Sequence, residues 1–312
     1  MEKWDEINFE EFKSKVQADL KAFLGDEYSV LIQEVFKNND QKLSGLIIKL
    51  IDMNLAPVIY LEEYFEKYLS GVTLVQLEKE ILQIYEQYKV KENVDTDWIT
   101  DYKFIRKKII GKLVSYERNR ERLKEIPHVR VLDLAIIFAI LLDKNAEDFG
   151  SITVHNHHLE AWGSVTVEEI YQEAKINVPV LLPAKINRLD DILSDAIPEF
   201  EGDFKQEGNE NAIYIISNTI DKYGAMAILY DGVLKQFADS IGCNLLILPS
   251  SVHECLLLPI TYEMNLKESN IFLKHMIETV NSEEVKEHEI LSNKPYFYDR
   301  RKDEIMLLEK VV

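Results

Sequence analysis

Apolar residues at Phe9, Phe12, Val16, Leu20 and Phe23 recur at steps of three and four, which predicts an amphipathic helix. Asn8 stands where a cap belongs, Glu11 completes a capping box, and Gly25 marks the stop. Two stretches rich in Val, Ile and Leu follow, Tyr28–Lys37 and Lys42–Met53, with Asn38-Asn39-Asp40 between them. This is the pattern of a β-hairpin. A short edge strand is expected within Asn54–Tyr60, where Pro57 disfavours a central position. A helical pair comes next. Its first stripe is Leu61, Tyr64, Phe65, Tyr68 and Leu69; its second is Leu74, Leu77, Ile81, Ile84 and Tyr88. Thr73 and Gln76 form the second capping box. These aromatic residues fit the helical period, so they read as a core face rather than a ligand cage.

The polar stretch Lys89–Asp97 carries no periodicity and is the expected boundary between an N-terminal lobe, residues 1–92, and a larger domain, residues 97–312. Beyond it, Glu117–Glu125 predicts an exposed helix, and Val129–Leu142 a strand buried on both faces, leading towards a helix. Further strands are expected at Ser151–His155, Ala212–Ser217, Ala225–Leu229, Leu245–Leu248 and Glu254–Leu258. Helices are expected at Asn156–Trp162, Val167–Lys175, Leu189–Ile197, Gly232–Ile241 and Asn265–Asn281. Val180–Ile186 reads as extended and Pro198–Asn211 as an acidic mobile loop. Tyr296–Tyr298 and Glu304–Leu308 read as a closing hairpin. Adjacent strands mixed with helices predict an α+β fold with mixed, mainly antiparallel sheets, flanking helices and two lobes.

Several blocks here are distinctive: Ile126-Pro127-His128, Asp133-Leu134-Ala135, Asn156-x-x-Leu159-x-x-Trp162, Leu181-Leu182-Pro183-Ala184, and above all Leu248-Pro249-Ser250-Ser251-Val252-His253-Glu254. With Ser217-Asn218, Gly224-Ala225 and Tyr230-x-Gly232-Val233-Leu234, they resemble an uncharacterised bacterial family, a domain of unknown function found mainly in gut clostridia. The resemblance implies a bacterial cytosolic protein. It supplies no activity, cofactor or catalytic residue.

Charge narrows the function classes. Lys and Arg number 36 against 55 Asp and Glu, a net charge of −19 over 312 residues. Such a field argues against general binding to nucleic acid or anionic membrane. The first residues lack the basic-then-apolar pattern of a secretory signal, the longest apolar run is far short of a membrane span, and only Cys243 and Cys255 are present. A reducing cytoplasm is the expected compartment. Phosphate-cradling glycine motifs are absent.

The charge is not uniform. Lys103–Arg130 holds ten basic residues against three glutamates, a local net of +7, whereas Leu189–Asn211 holds eight acids against Lys205. Arg118, Arg120 and Arg122 within the basic segment are candidate contacts for an acidic protein partner. Asn218, Ser250, Ser251, His253 and Glu254 are candidates for a binding loop. Ser251, His253 and Glu254 contain the residue types of a hydrolytic triad, but in an extended chain the Ser and His stand about 6.6 Å apart and Glu254 points to the other face. His155 and His157, with His128 as a third, could share zinc or another divalent metal if the fold converged them, in a metal-dependent hydrolase. The leading reading is a binding or interaction protein without catalysis and without a cofactor. A weaker one is an acidic mimic of nucleic acid that blocks a nucleic-acid enzyme.

Overall fold

A computed structural model describes residues 7–90, 92–93, 97–143, 150–196, 212–260 and 265–311. The fold is α+β, and every strand pairing among the described residues is antiparallel. The chain divides into two compact units. The first comprises Met1–Lys37 and Gln41–Asp97; the second comprises Asn38–Asp40 and Trp98–Val312.

The first unit begins with α1 (Phe9–Leu24). Asn8 accepts the Glu11 N–H at 3.0 Å and Glu11 reciprocates, so two orphan amides of the first turn are satisfied. Phe12, Val16 and Leu20 are buried, whereas Phe23 is 75% exposed and lies off the core stripe. Strands β1 (Tyr28–Phe36), β2 (Lys42–Leu50) and β3 (Val58–Tyr60) form a sheet in that order. Helices α2 (Glu62–Leu69) and α3 (Leu74–Tyr88) complete the unit. The buried stripe of α3 is Leu77, Ile81 and Tyr85, two steps of four, so Tyr85 takes the place expected of Ile84 and Tyr88.

The second unit contains α4 (Tyr102–Ile105), β4 (Ile109–Ser115), β5 (His128–Val131), β6 (Leu134–Asp143), β7 (Gly150–Thr153), α5 (Asn156–Ala161), α6 (Val167–Leu181), β8 (Ala184–Arg188), α7 (Leu189–Ala196), β9 (Tyr214–Asn218), α8 (Val233–Ile241), β10 (Leu245–Pro249), β11 (Cys255–Pro259), α9 (Leu266–Glu283), β12 (Tyr296–Asp299) and β13 (Glu304–Leu307). One sheet runs β13-β12-β10-β11-β9-β8. In the other, β6 is central, with β4 on one edge and β5 and β7 sharing the opposite edge. The strand β10 is apolar throughout because both of its faces are covered. Leu245 and Ile247 join the main core with α6 and α8, while Leu246 and Leu248 pack with Leu273 and Ile277 of α9.

Four expected elements are different. Val129–Leu142 is two strands, because Leu132 takes φ +57° and turns the chain into a hairpin pairing Val131 with Leu134. Asp133, polar within that apolar run, accepts from the Ser292 hydroxyl at 2.7 Å and the Tyr296 hydroxyl at 2.9 Å. The stretch 117–125 is two 3-10 turns, Glu117–Asn119 and Arg122–Lys124, rather than an exposed helix, since Asn119 and Leu123 are drawn into the interior. Gly224–Leu229 is a buried 3-10 helix rather than a strand. The helix from Val167 continues through Pro179 to Leu181, held by buried Val178 and by the Leu182 N–H on Val178 O at 2.8 Å. The acidic loop expected at 198–211 lies outside the described residues. No helix among the described residues is long and apolar enough to cross a membrane.

Candidate functional site

The most distinctive sequence block folds as a turn between β10 and β11. The Ser251 hydroxyl accepts the His253 N–H at 3.0 Å, and the Ser251 N–H reaches Glu254 O at 3.2 Å. The His253 carbonyl accepts from the Ser217 hydroxyl at 2.9 Å. Asn218, fully buried, closes its own turn by accepting the Ile220 N–H and donating to Lys222 O. Ser251, Ser217 and Asn218 are therefore committed to backbone. Burial raises the pKa of Glu254, with nearby Asp221 adding to the shift and Ser250 opposing it. The structure brings these residues together as a packed junction, and the series Ser–His–acid does not form.

His253 is the chemically richest member. Its Nδ1 accepts the Tyr223 N–H at 3.2 Å, so the neutral ring carries its proton on Nε2, which faces Glu289 at 3.6 Å. Burial lowers its pKa, and Glu289 partly opposes this. Tyr223 sits at φ +53° and packs its ring 5.5 Å from the imidazole, tilted by 45°. On the Tyr223 ring lies Lys112, its Nζ 3.9 Å from the centroid and 2.6 Å from the Ser151 hydroxyl. Only 5% of Lys112 is exposed. Lys112 belongs to the basic segment Lys103–Arg130, and the sequence signal of its burial is its place inside the apolar run Ile109–Val114. Nothing in the sequence pointed to Tyr223.

The histidines assemble differently from expectation. Rings of His155, His157 and His158 lie 4.1–5.9 Å apart, whereas His128 packs on Tyr116 at 6.0 Å with its Nδ1 2.9 Å from Ile126 O. His158 accepts the His155 N–H on Nδ1 at 2.9 Å and stacks on Trp162 at an interplanar angle of 16°. Burial, followed by the neighbouring His157, pushes the His158 pKa down to about 4. Among the described residues, no group of three or more His, Cys, Asp or Glu is placed to hold a metal ion. The expected set of His155, His157 and His128 does not converge.

The basic segment divides. Arg106 pairs with Glu173 at 2.9 Å, Lys108 covers the rings of Trp98 and Phe104, and Arg118 reaches Glu287 at 3.9 Å. Arg122 is turned inward, and burial lowers its pKa. Arg120 remains at the surface and pairs with Glu117 at 2.6 Å, and Lys124 pairs with Glu121 at 2.6 Å, both as the spacing predicts. Around Tyr116 a compact surface cluster forms. The guanidinium carbons of Arg130 and Arg120 lie 4.2 Å and 5.9 Å from its ring centroid, beside His128. Arg130 and Tyr116 were not singled out from sequence, because their contact depends on the turn at Leu132 and Asp133, where Tyr116 N–H bonds Asp133 O.

No curated protein and no solved structure matches the chain. A family model matches residues 9–300, and the chain belongs to the family of unknown function DUF5688.

Proposed function

We propose that the protein acts by binding an acidic partner protein at the surface around Tyr116, without catalysis of its own. The observation that carries this reading is the pair of guanidiniums, Arg130 and Arg120, held against one tyrosine ring. Two like charges set together are stabilised by an anion between or above them, and each guanidinium presents a planar fork of donors suited to carboxylates. Among the described residues, the partners of Arg130 are the Tyr116 ring and Leu132 O, at 3.4 Å from its Nε. The Arg120–Glu117 pair is solvent-exposed, and such pairs contribute about 0–1 kcal/mol, so an incoming carboxylate can displace it. The net charge of −19 does not forbid this, since screening limits exposed charges to about 8 Å at physiological salt.

The test is fluorescence anisotropy with a labelled peptide rich in Asp and Glu, titrated with wild-type protein and with Arg130→Ala. Binding that weakens with salt and drops about tenfold in the variant supports the reading. Equal binding by the two proteins, or none by either, rejects it.

A further inference from the structure

The first unit contains a cavity of about 230 Å³ lined by residues of β1, β2, the 53–57 stretch and the end of α3. Its wall from Leu50 to Pro57 is held in place by Asn93, which accepts the Asn54 N–H at 2.9 Å and donates to Asp52 O at 3.0 Å. Leu50, Met53 and Pro57 give the lining its apolar part. Tyr28, the cross-strand partner of Leu50, and Tyr85 also line the cavity, with their rings edge to face at 6.2 Å. The Lys89 ammonium acts electrostatically on both tyrosines and is held by Glu86 at 2.7 Å. Lys49, also a lining residue, donates from its ammonium to Met53 O at 3.1 Å. Among the described residues, the lining thus combines apolar side chains with two tyrosines and two lysines, one of which, Lys89, pairs with Glu86.

We propose that this cavity binds a small apolar carboxylate, its acid group between Lys89 and the Tyr28–Tyr85 pair and its body against Leu50, Met53 and Pro57. The Lys89 ammonium favours an anion, because a carboxylate accepts a charge-assisted hydrogen bond from it, a neutral hydroxyl a weaker one and a cationic head none. The apolar wall rewards a hydrocarbon body and excludes inorganic anions. The volume lies below the roughly 300–1,000 Å³ of drug-sized sites, which restricts the ligand to the size of hexanoate or benzoate. The site lies in a different unit from the Tyr116 surface, and neither reading depends on the other.

The experiment is calorimetric titration of the full chain with sodium hexanoate, hexan-1-ol and hexylamine. Hexanoate is expected to bind one site per chain, about tenfold tighter than the alcohol, with the amine weakest. Lys89→Gln keeps the first part of the half-buried stem and is expected to weaken hexanoate about fivefold with a smaller effect on the alcohol. A second readout uses the wild-type protein alone: the ¹³C-methyl resonance of Met53, identified by its loss in Met53→Leu, shifts on adding hexanoate. Absence of hexanoate binding at about 10 mM, equal affinity for acid and alcohol, or an unmoved Met53 resonance overturns the proposal.

Discussion

Asn119 and Asn39 bond to each other twice: the Asn119 side-chain oxygen accepts the Asn39 N–H at 2.8 Å, and its nitrogen donates to the Asn39 side-chain oxygen at 2.9 Å. Asn119 is fully buried and also donates to Ser115 O at 2.8 Å, while Asn39, at φ +63°, donates to the carbonyls of Glu287 and Ile290. This polar knot lies within the second unit, which includes Asn38–Asp40. Asn119→Ala strands buried donors and acceptors and is expected to lower stability by about 2–4 kcal/mol. Urea denaturation measures it; a loss below about 0.5 kcal/mol contradicts the assignment.

Gly224 has no room for a side chain. A Cβ there would overlap the Ser217 hydroxyl and stand 2.6 Å from His253 O and 2.7 Å from Asn218 N. Two of those neighbours are backbone, so the turn that carries Tyr223 and His253 must shift. Gly224→Ala is expected to cost about 1–3 kcal/mol or more and to move the His253 ring resonances. Thermal unfolding and a histidine proton spectrum report both effects.

Much of this was legible in the chain and some was not, for definable reasons. The bounds of α1 follow from Asn8, Glu11 and Gly25, whose chemistry is local. The β1–β2 hairpin follows from the Asn-Asn-Asp turn for the same cause. The turn at Leu132 was invisible because a branched apolar residue at positive φ has no sequence signature, and it is Asp133, anchored by Ser292 and Tyr296, that holds it. The 117–125 turns depart from a helix where Asp40 takes the N–H groups of Glu121 and Arg122, both at 2.9 Å, a contact far away in sequence. The serines and His253 were readable as a turn, whereas Lys112 over Tyr223 joins distant strands and turns that only the fold brings together.

Arg120 and Arg122 are two residues apart and should respond differently. Arg122 is half-buried, with burial lowering its pKa and Tyr223 and Asp40 opposing this. Arg122→Ala removes packing as well as charge and is expected to lower stability by about 1–3 kcal/mol, whereas Arg120→Ala should stay within about 0.5 kcal/mol. Parallel urea titrations separate the two; equal effects would place both at the surface.

Acid should weaken the fold through the histidine cluster. His155 and His158 both have pKa values below their ordinary 6.5, that of His158 about 4, chiefly because burial disfavours the charged ring. The folded state therefore binds fewer protons than the unfolded chain between about 6.5 and 4, and stability falls as pH drops through that window. His158→Gln should flatten this dependence, measured as unfolding midpoints at pH 7 and pH 5. Midpoints that rise on acidification in the wild type contradict the sign.

The surface around Tyr116 is tested most directly by affinity capture with the intact chain, comparing wild type with the Arg120→Glu, Arg130→Glu double variant and identifying captured proteins by mass spectrometry. Neither residue holds the core, and matching circular dichroism spectra establish that the variant is folded. The account predicts that the wild type retains an acidic protein, released by raised salt, which the variant fails to retain. The same acidic protein captured equally by both, or an empty capture by the wild type, contradicts it.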